Sequence, residues 1–173
     1  MKVVLISPYA DIQSFGVRLL AECLKKEGHE ARIVFLWRPT VAGPGGAAAS
    51  LDEYPEPVMR ELVRLCSDAQ LVGVSLMTEH VFRARFVTRK LKESLKVPVI
   101  WGGVHPTIQP EECLQYADFV CVGEGEHAFP AFVGALAQGG EAADRAPGIW
   151  RLRDGRLAAN GASPVTHDLD SLP

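Results

Sequence analysis

Two glycine-rich turns hold the residues whose types and spacing could build a ligand site. Residues 97–126 read VPVIWGGVHPTIQPEECLQYADFVCVGEGE. Gly102 and Gly103 follow one short apolar run, and the tetrapeptide GEGE at 123–126 follows the next. Glycines at the carboxyl end of a buried strand let a flat or bulky group approach the backbone closely. Because open α/β sheets bind ligands at that edge, the two turns predict a crevice there.

Two further loops are expected at the same edge. Residues 7–16 join the first apolar run to a helix, and residues 75–80 follow the third apolar run. The candidate residues of these loops and of the glycine turns also have simpler structural interpretations. Asp11 can cap the helix, for which Ser14 is the better N-cap candidate. Ser75 can be an ordinary turn residue, and the glycine pairs can serve tight turns alone.

Apolar runs that alternate with helical patterns predict the scaffold that would position these loops. Strands are predicted at residues 2–6, 30–37, 69–76, 97–101 and 118–122. Helices are predicted from 17 to about 26, at 58–66, 81–95 and 127–137, with a short one at 111–116. Fully apolar strands joined by helices are typical of a parallel sheet covered on both faces. We predict a flavodoxin-like (Rossmann-like) α/β fold with strand order 2-1-3-4-5.

Three segments fall outside this βα pattern. Residues 38–57 are rich in Pro, Gly and Ala, which predicts a functional lid or a mobile loop. Asp154-Gly155, between residues 148–153 and 156–160, indicates a β-hairpin. Residues 163–173 are polar and bounded by prolines, and we interpret them as a linker to a missing domain. The predicted organisation is a ligand-binding domain at 1–140, an appended hairpin at 141–162 and a linker at 163–173.

Composition narrows the possible functions. The chain has 173 residues, of which 47% are hydrophobic, and its net charge is −3 without a basic run. It should therefore form one core and is not expected to bind nucleic acid. No apolar stretch reaches the roughly 20 residues of a membrane span, and the apolar start ends at Ser7-Pro8, so we expect a cytoplasmic protein. The four cysteines form no C-x-x-C pair and are expected to be packing residues, not zinc or iron–sulfur ligands.

The loops follow the motif pattern of a known family. Residues 11–16 read D-x-Q-x-x-G, which is similar to the D-x-H-x-x-G of cobalamin-binding domains. Ser75-Leu76-Met77 stands where that family has S-x-L, and residues 102–103 stand where it has G-G. All three are expected at the ends of strands one, three and four, in the family's order. In that family the histidine is the lower axial ligand of cobalt and the aspartate orients it. Gln13 takes the histidine's place here, so Asp11 has no histidine to orient.

The chain resembles still more closely the amino-terminal cobalamin (vitamin B12)-binding domain of cobalamin-dependent radical S-adenosylmethionine enzymes. That subgroup has a GGxHP turn, a D-x-V-x-x-GEGE turn, a P-G hairpin and a D-L-D-x-L-P linker before its radical domain. Their counterparts here are residues 102–106, 118–126, 147–148 and 168–173. The radical domain's C-x-x-x-C-x-x-C motif is absent. The resemblance therefore implies that the 4Fe–4S cluster and S-adenosylmethionine belong to a missing domain in cis.

The resemblance also implies a binding mode. Cobalamin would bind base-off, with its dimethylbenzimidazole tail threaded into the sheet edge, Ser75 bonded to the benzimidazole nitrogen, and Gln13 facing cobalt with weak or no ligation. The chain itself would hold no catalytic residue, and the parent enzyme would be a methyltransferase or a cyclase. The residues expected to contact cobalamin are Tyr9, Asp11, Gln13, Ser14, Phe15, Gly16, Ser75, Leu76, Met77, Gly102, Gly103, Val104, His105, Gly123, Glu124 and Gly125.

Two other classes share the expected topology. A non-catalytic signalling domain of the receiver type would have an acidic cluster after strand one and an aspartate at the end of strand three, where this chain has Ser7-Pro8 and Ser75-Leu76. A flavin or nucleotide enzyme would have a phosphate loop such as G-x-G-x-x-G after strand one, which residues 8–11 do not supply. His105 is equally compatible with ligand contact and with a helix cap. Glu126 fits an acid that complements a helix dipole.

Overall fold

The computed structural model describes residues 1–9, 12, 14–37, 52–139 and 141–173. Asp11, Gln13 and most of the loop predicted at 38–57 lie outside the described residues. What is predicted of these positions therefore stays a prediction.

The strands form a single sheet that confirms the predicted fold. They are β1 (Lys2–Ser7), β2 (Glu30–Phe35), β3 (Leu71–Ser75), β4 (Val99–Gly102), β5 (Phe119–Cys121), β6 (Ile149–Arg153) and β7 (Arg156–Ala159). Their order is β2-β1-β3-β4-β5-β6-β7, and β1 to β5 are parallel, in the predicted order 2-1-3-4-5. The hairpin of β6 and β7 is an antiparallel extension of the same sheet, because β6 pairs directly with β5.

The helices connect the parallel strands as the apolar spacing predicts. They are α1 (Phe15–Lys26), α2 (Glu56–Leu65), α3 (Val81–Ser94), α4 (Val104–Ile108), α5 (Pro110–Cys113), α6 (Gly125–Ala137) and α7 (Glu141–Asp144), with 3₁₀ turns at Thr78–His80 and Leu169–Ser171. The short helix predicted at 111–116 corresponds to α5, and a further short helix, α4, precedes it. Gln109 has an extended φ of −134° between them, and Pro110 begins the second turn. Proline is well tolerated at that first position because its missing N–H has no helical partner there.

Alternation along the strands divides the core into two layers. One apolar cluster contains Val72, Val74 and Trp101 and packs against α2 and α3. The other contains Leu5, Leu71 and further strand residues and packs against α1 and α6. The sheet is therefore covered on both faces, as predicted for all-apolar parallel strands.

The cysteines are packed inside these layers. Cys23, Cys66, Cys113 and Cys121 are all buried and free. Burial raises the pKa of the Cys66 thiol to about 11 and that of the Cys113 and Cys121 thiols to about 12. These three thiols therefore stay protonated near neutral pH and pack as small apolar groups. Across the described ranges, no helix combines the length and the apolar character that a membrane crossing requires.

Trp101 makes a buried side-chain hydrogen bond in the core facing α2 and α3. It is fully buried, its Nε1–H donates to Thr88 Oγ1 at 2.9 Å, and its ring stacks on Tyr116 with centroids 5.8 Å apart. A buried indole N–H needs a partner, since leaving it unpaired costs about 1–3 kcal/mol.

We expect Thr88→Val to lower the free energy of unfolding by about 1–3 kcal/mol, because the substitution removes the acceptor of the Trp101 N–H and leaves the side-chain volume nearly unchanged. Urea titration followed by fluorescence measures this loss. Thr88→Ser keeps the hydroxyl and is the matched control, with a loss expected to be clearly smaller. Equal losses for both variants would contradict the assignment.

Candidate functional site

A cavity of about 600 Å³ opens at the carboxyl edge of the sheet. It lies between the sheet and helices α1 and α6, because its lining includes Leu5 and Ile100 from the strands, Leu20 from α1 and Phe129 from α6. Its size lies within the range of roughly 300–1,000 Å³ that is usual for small-molecule sites. The crevice predicted at this edge is therefore present.

The cavity exists because one face of three neighbouring strands lacks large side chains near its carboxyl end. The small lining residues on that face are Gly73, Ser75, Gly102 and Cys121. The residues that alternate with them are large, fully buried and turned toward α2 and α3, and they are Val74, Trp101 and Val120. The sheet is thus fully packed on one face and open on the other at the same height.

The two adjacent glycines at the end of β4 meet different physical requirements. At Gly102 an added Cβ would lie 3.6 Å from the Cβ of Cys121, an ordinary contact, so the backbone does not require glycine there. At Gly103 φ is +105°, and an added Cβ would lie 2.7 Å from the carbonyl oxygen of Leu76. Gly103 is therefore required by the turn itself, whereas Gly102 keeps the cavity open.

The outer wall of the cavity is built by residues far away in sequence. Ala162, Ser163 and Val165 line it, although the sequence predicts a linker from residue 163 onward. The Ser163 N–H donates to the Val122 carbonyl at 2.9 Å, and the Thr166 N–H donates to Glu124 Oε2 at 2.6 Å. We call residues 161–166 the C-terminal strap. The segment predicted as a linker therefore begins as part of the site.

Half of the residues predicted to contact a ligand line this cavity. They are Gly16, Ser75, Gly102, Gly103, Val104, Gly123, Glu124 and Gly125. The lining residues that sequence reasoning missed include Gly73, Cys121, Glu126 and those of the strap. Gly73 had a detectable signal, since glycine inside an apolar strand marks a close approach. The strap had none, because its contact with the glycine turn joins segments about forty residues apart.

Four more of the predicted residues lie at the same edge without lining the cavity. The ring of Tyr9 stacks on His80 at a centroid distance of 5.0 Å. The Ser14 hydroxyl donates to the Tyr9 hydroxyl at 3.1 Å, so Ser14 occupies the N-cap position of α1 without a capping bond from its side chain. Phe15 and Met77 are exposed apolar residues. A large ligand above the cavity would find an apolar surface here.

Leu76 and His105 are not brought to the cavity. Leu76 is buried and packs on the α2 and α3 side of the sheet. His105 is 4% exposed, and neither nitrogen of its ring has a hydrogen-bond partner within the part of the chain that the structure describes. Both positions therefore pack beneath the turns that follow β3 and β4.

The charges of the cavity are acidic. Glu124 and Glu126 line it, and no Lys, Arg or His is among its described lining residues. Burial, together with the negative charge of Glu126, raises the pKa of Cys23 and Cys121. An apolar interior with carboxylates at one side suits a neutral aromatic group and disfavours a phosphate. Within the described ranges, no three His, Cys, Asp or Glu side chains are grouped to hold a metal ion.

Comparison with known proteins finds a family whose model matches most of the chain. The family model described as the B12 binding domain matches residues 1–133, which include β1 to β5 and most of α6. No curated protein matches the chain.

The glycine pair allows a direct test of the two reasons given above. Gly103→Ala should lower the free energy of unfolding by about 1–3 kcal/mol, because it combines a positive φ with a backbone clash. Gly102→Ala is the matched control and should change it by less than about 1 kcal/mol in either direction. Chemical denaturation of both variants measures the difference. Similar values for the two would contradict the distinction.

Proposed function

The chain belongs to the B12 binding domain family, and from this premise we propose how it binds cobalamin and what it serves. We propose that cobalamin binds base-off, with its dimethylbenzimidazole tail in the cavity and Gln13 in the position of the axial histidine. We further propose that the domain is the cofactor module of a radical S-adenosylmethionine enzyme, specifically a methyltransferase.

The single observation that carries the binding mode is the missing side-chain volume at Ser75 and Gly102, at the carboxyl edge of the sheet. A flat aromatic group needs a narrow apolar slot between a sheet and its helices, and these positions leave one open. Any larger side chain at Gly102 would extend into the same space, because its Cβ meets only Cys121. The residues present therefore fit the tail of cobalamin.

Polar contacts to the tail are expected at the mouth of the cavity. Ser75 lies at the end of β3, with its Cα paired to that of Gly102. A hydroxyl at this position would donate to the benzimidazole nitrogen, which would otherwise be buried without a partner. No Lys, Arg or His stands among the lining residues that the structure describes, which supports placing the aromatic group, and not the phosphate, inside the cavity.

The glutamine at position 13 supports a binding mode in which cobalt has no strong lower ligand. A carboxamide is a weaker donor to transition metals than an imidazole. The chemistry that cobalamin supplies when bound in this way is methyl transfer. The role proposed for this chain is to bind and orient the cofactor.

A radical S-adenosylmethionine partner domain in cis is supported by the sequence of residues 163–173. Within this segment, residues 168–173 resemble the D-L-D-x-L-P linker of that enzyme subgroup. Apolar side chains at the same edge, among them Phe15, Val104 and Ile108, are exposed. A large corrin ring and a second domain would together cover such a surface.

Binding is tested by mixing the purified protein with hydroxocobalamin and measuring the bound cobalamin absorbance after gel filtration. Gly102→Leu should weaken binding at least about tenfold, because the side chain fills the cavity while the backbone tolerates its Cβ. Gly134→Leu is the control, since Gly134 lies on α6 away from the cavity and its Cβ would meet nothing closer than 4.0 Å. Equal affinity of Gly102→Leu and wild type would contradict the proposed slot.

The parent class is tested on the gene. We expect a C-x-x-x-C-x-x-C motif encoded in frame shortly after Pro173, because that motif holds the cluster of the radical domain. Sequencing the downstream reading frame decides the point. A stop codon or an unrelated domain at that place would remove the radical-enzyme assignment and leave cobalamin binding untouched.

A further inference from the structure

We propose that the C-terminal strap, together with Glu126, is the polar wall of the cavity and binds neutral hydroxyl or amide groups of the occupant. For cobalamin these groups are a ribose hydroxyl or a side-chain amide, and not the phosphate. The proposal rests on the proposed function and assigns a ligand-binding role to Ser163, Thr166 and Glu126, which are not among the residues that the sequence predicts to contact cobalamin.

Backbone and tryptophan contacts hold the strap in place without using its hydroxyl groups. Trp150 Nε1 donates to the Gly161 carbonyl at 2.7 Å. The backbone N–H groups of Ser163 and Thr166 donate to Val122 and Glu124, as described above. The strap position is therefore fixed by bonds that leave the Ser163 and Thr166 side chains free for another task.

The strap lies directly against two glycines of the sheet edge. Gly123 and Gly148 have φ values of +89° and +78°. An added Cβ at Gly123 would lie 3.0 Å from the Ser163 backbone, and one at Gly148 would lie 2.9 Å from the Ser163 Cβ. This close approach puts Ser163, which is 7% exposed, into the cavity wall.

Three buried polar atoms at this wall have no partner. Ser163 Oγ, Thr166 Oγ1 and Glu126 Oε2 make no hydrogen bond within the described part of the chain. Ser163 and Glu126 line the cavity, and Thr166 is bonded through its backbone to the lining residue Glu124. Buried polar groups without partners destabilise a protein, so their presence beside a cavity indicates that a ligand supplies the partners.

The chemistry of these atoms selects the kind of group they bind. An ionised carboxylate only accepts hydrogen bonds, so the group facing Glu126 must be a donor such as a hydroxyl or an amide N–H. A phosphate would be repelled by Glu126 and Glu124 together. The hydroxyls of Ser163 and Thr166 can donate and accept, which suits sugar hydroxyls and amides.

The test is Ser163→Ala in the full chain, measured in two ways. The affinity for hydroxocobalamin should fall about three- to tenfold because a ligand hydrogen bond is lost. The Tm of the protein without ligand should rise by about 1–4 °C because an unpaired buried hydroxyl is removed. A merely structural serine would not move the two values in opposite directions. Ser171→Ala, whose exposed hydroxyl bonds the Asp168 carbonyl, is the control and should leave the affinity unchanged.

Thr166→Val provides an independent second variant and should also weaken binding. Inorganic phosphate should not compete with hydroxocobalamin. If wild type binds hydroxocobalamin and both variants bind it with the same affinity as wild type, the proposal of a polar wall is overturned and the proposed function stands. Competition by phosphate, or a joint fall of affinity and Tm in both variants, also overturns it. If wild type does not bind hydroxocobalamin at all, the proposed function itself fails.

Discussion

The site depends on one constraint, which is that one face of β3, β4 and β5 carries no large side chain near its carboxyl end. Parallel strands covered on both faces normally fill both layers with apolar side chains. Here the layer toward α2 and α3 is filled by residues such as Trp101, while the layer toward α1 and α6 stops short at Ser75 and Gly102. The closed side stays fully packed at this height, so the opening is confined to one face of the sheet.

The antiparallel hairpin gives this opening its outer wall. Because β6 pairs with β5, the chain that leaves β7 returns along the glycine turn after β5. Asn160 reinforces the return by donating from Nδ2 to the carbonyls of Asp144 and Ile149, each at 2.8 Å. An appended hairpin thus positions the C-terminal strap, and residues outside the βα units become part of the site.

The sequence predicted the scaffold well and the site in part, for identifiable reasons. Apolar runs of strand length and helical spacing are local patterns, so strand order and most boundaries followed from them. The glycine turns were found because glycine marks them directly. The strap could not be found, since its hydrogen bonds to Val122 and Glu124 are backbone or long-range contacts that no residue pattern encodes. Ser14 shows the same limit, because its hydroxyl bonds Tyr9 instead of capping α1.

The charge of the cavity separates the classes that share this topology. A flavin or nucleotide site needs N–H groups and cations for phosphate, whereas this cavity combines an apolar interior with Glu124 and Glu126. A signalling domain of the receiver type needs no internal cavity. In such a domain an apolar cavity of this volume would lower the free energy of unfolding without serving a function. The open space, and the Ser163 and Glu126 oxygen atoms beside it that have no partner among the described residues, agree with the proposal that a ligand completes the site. Family membership names that ligand, and the arrangement of small and polar residues explains why the fold can hold it.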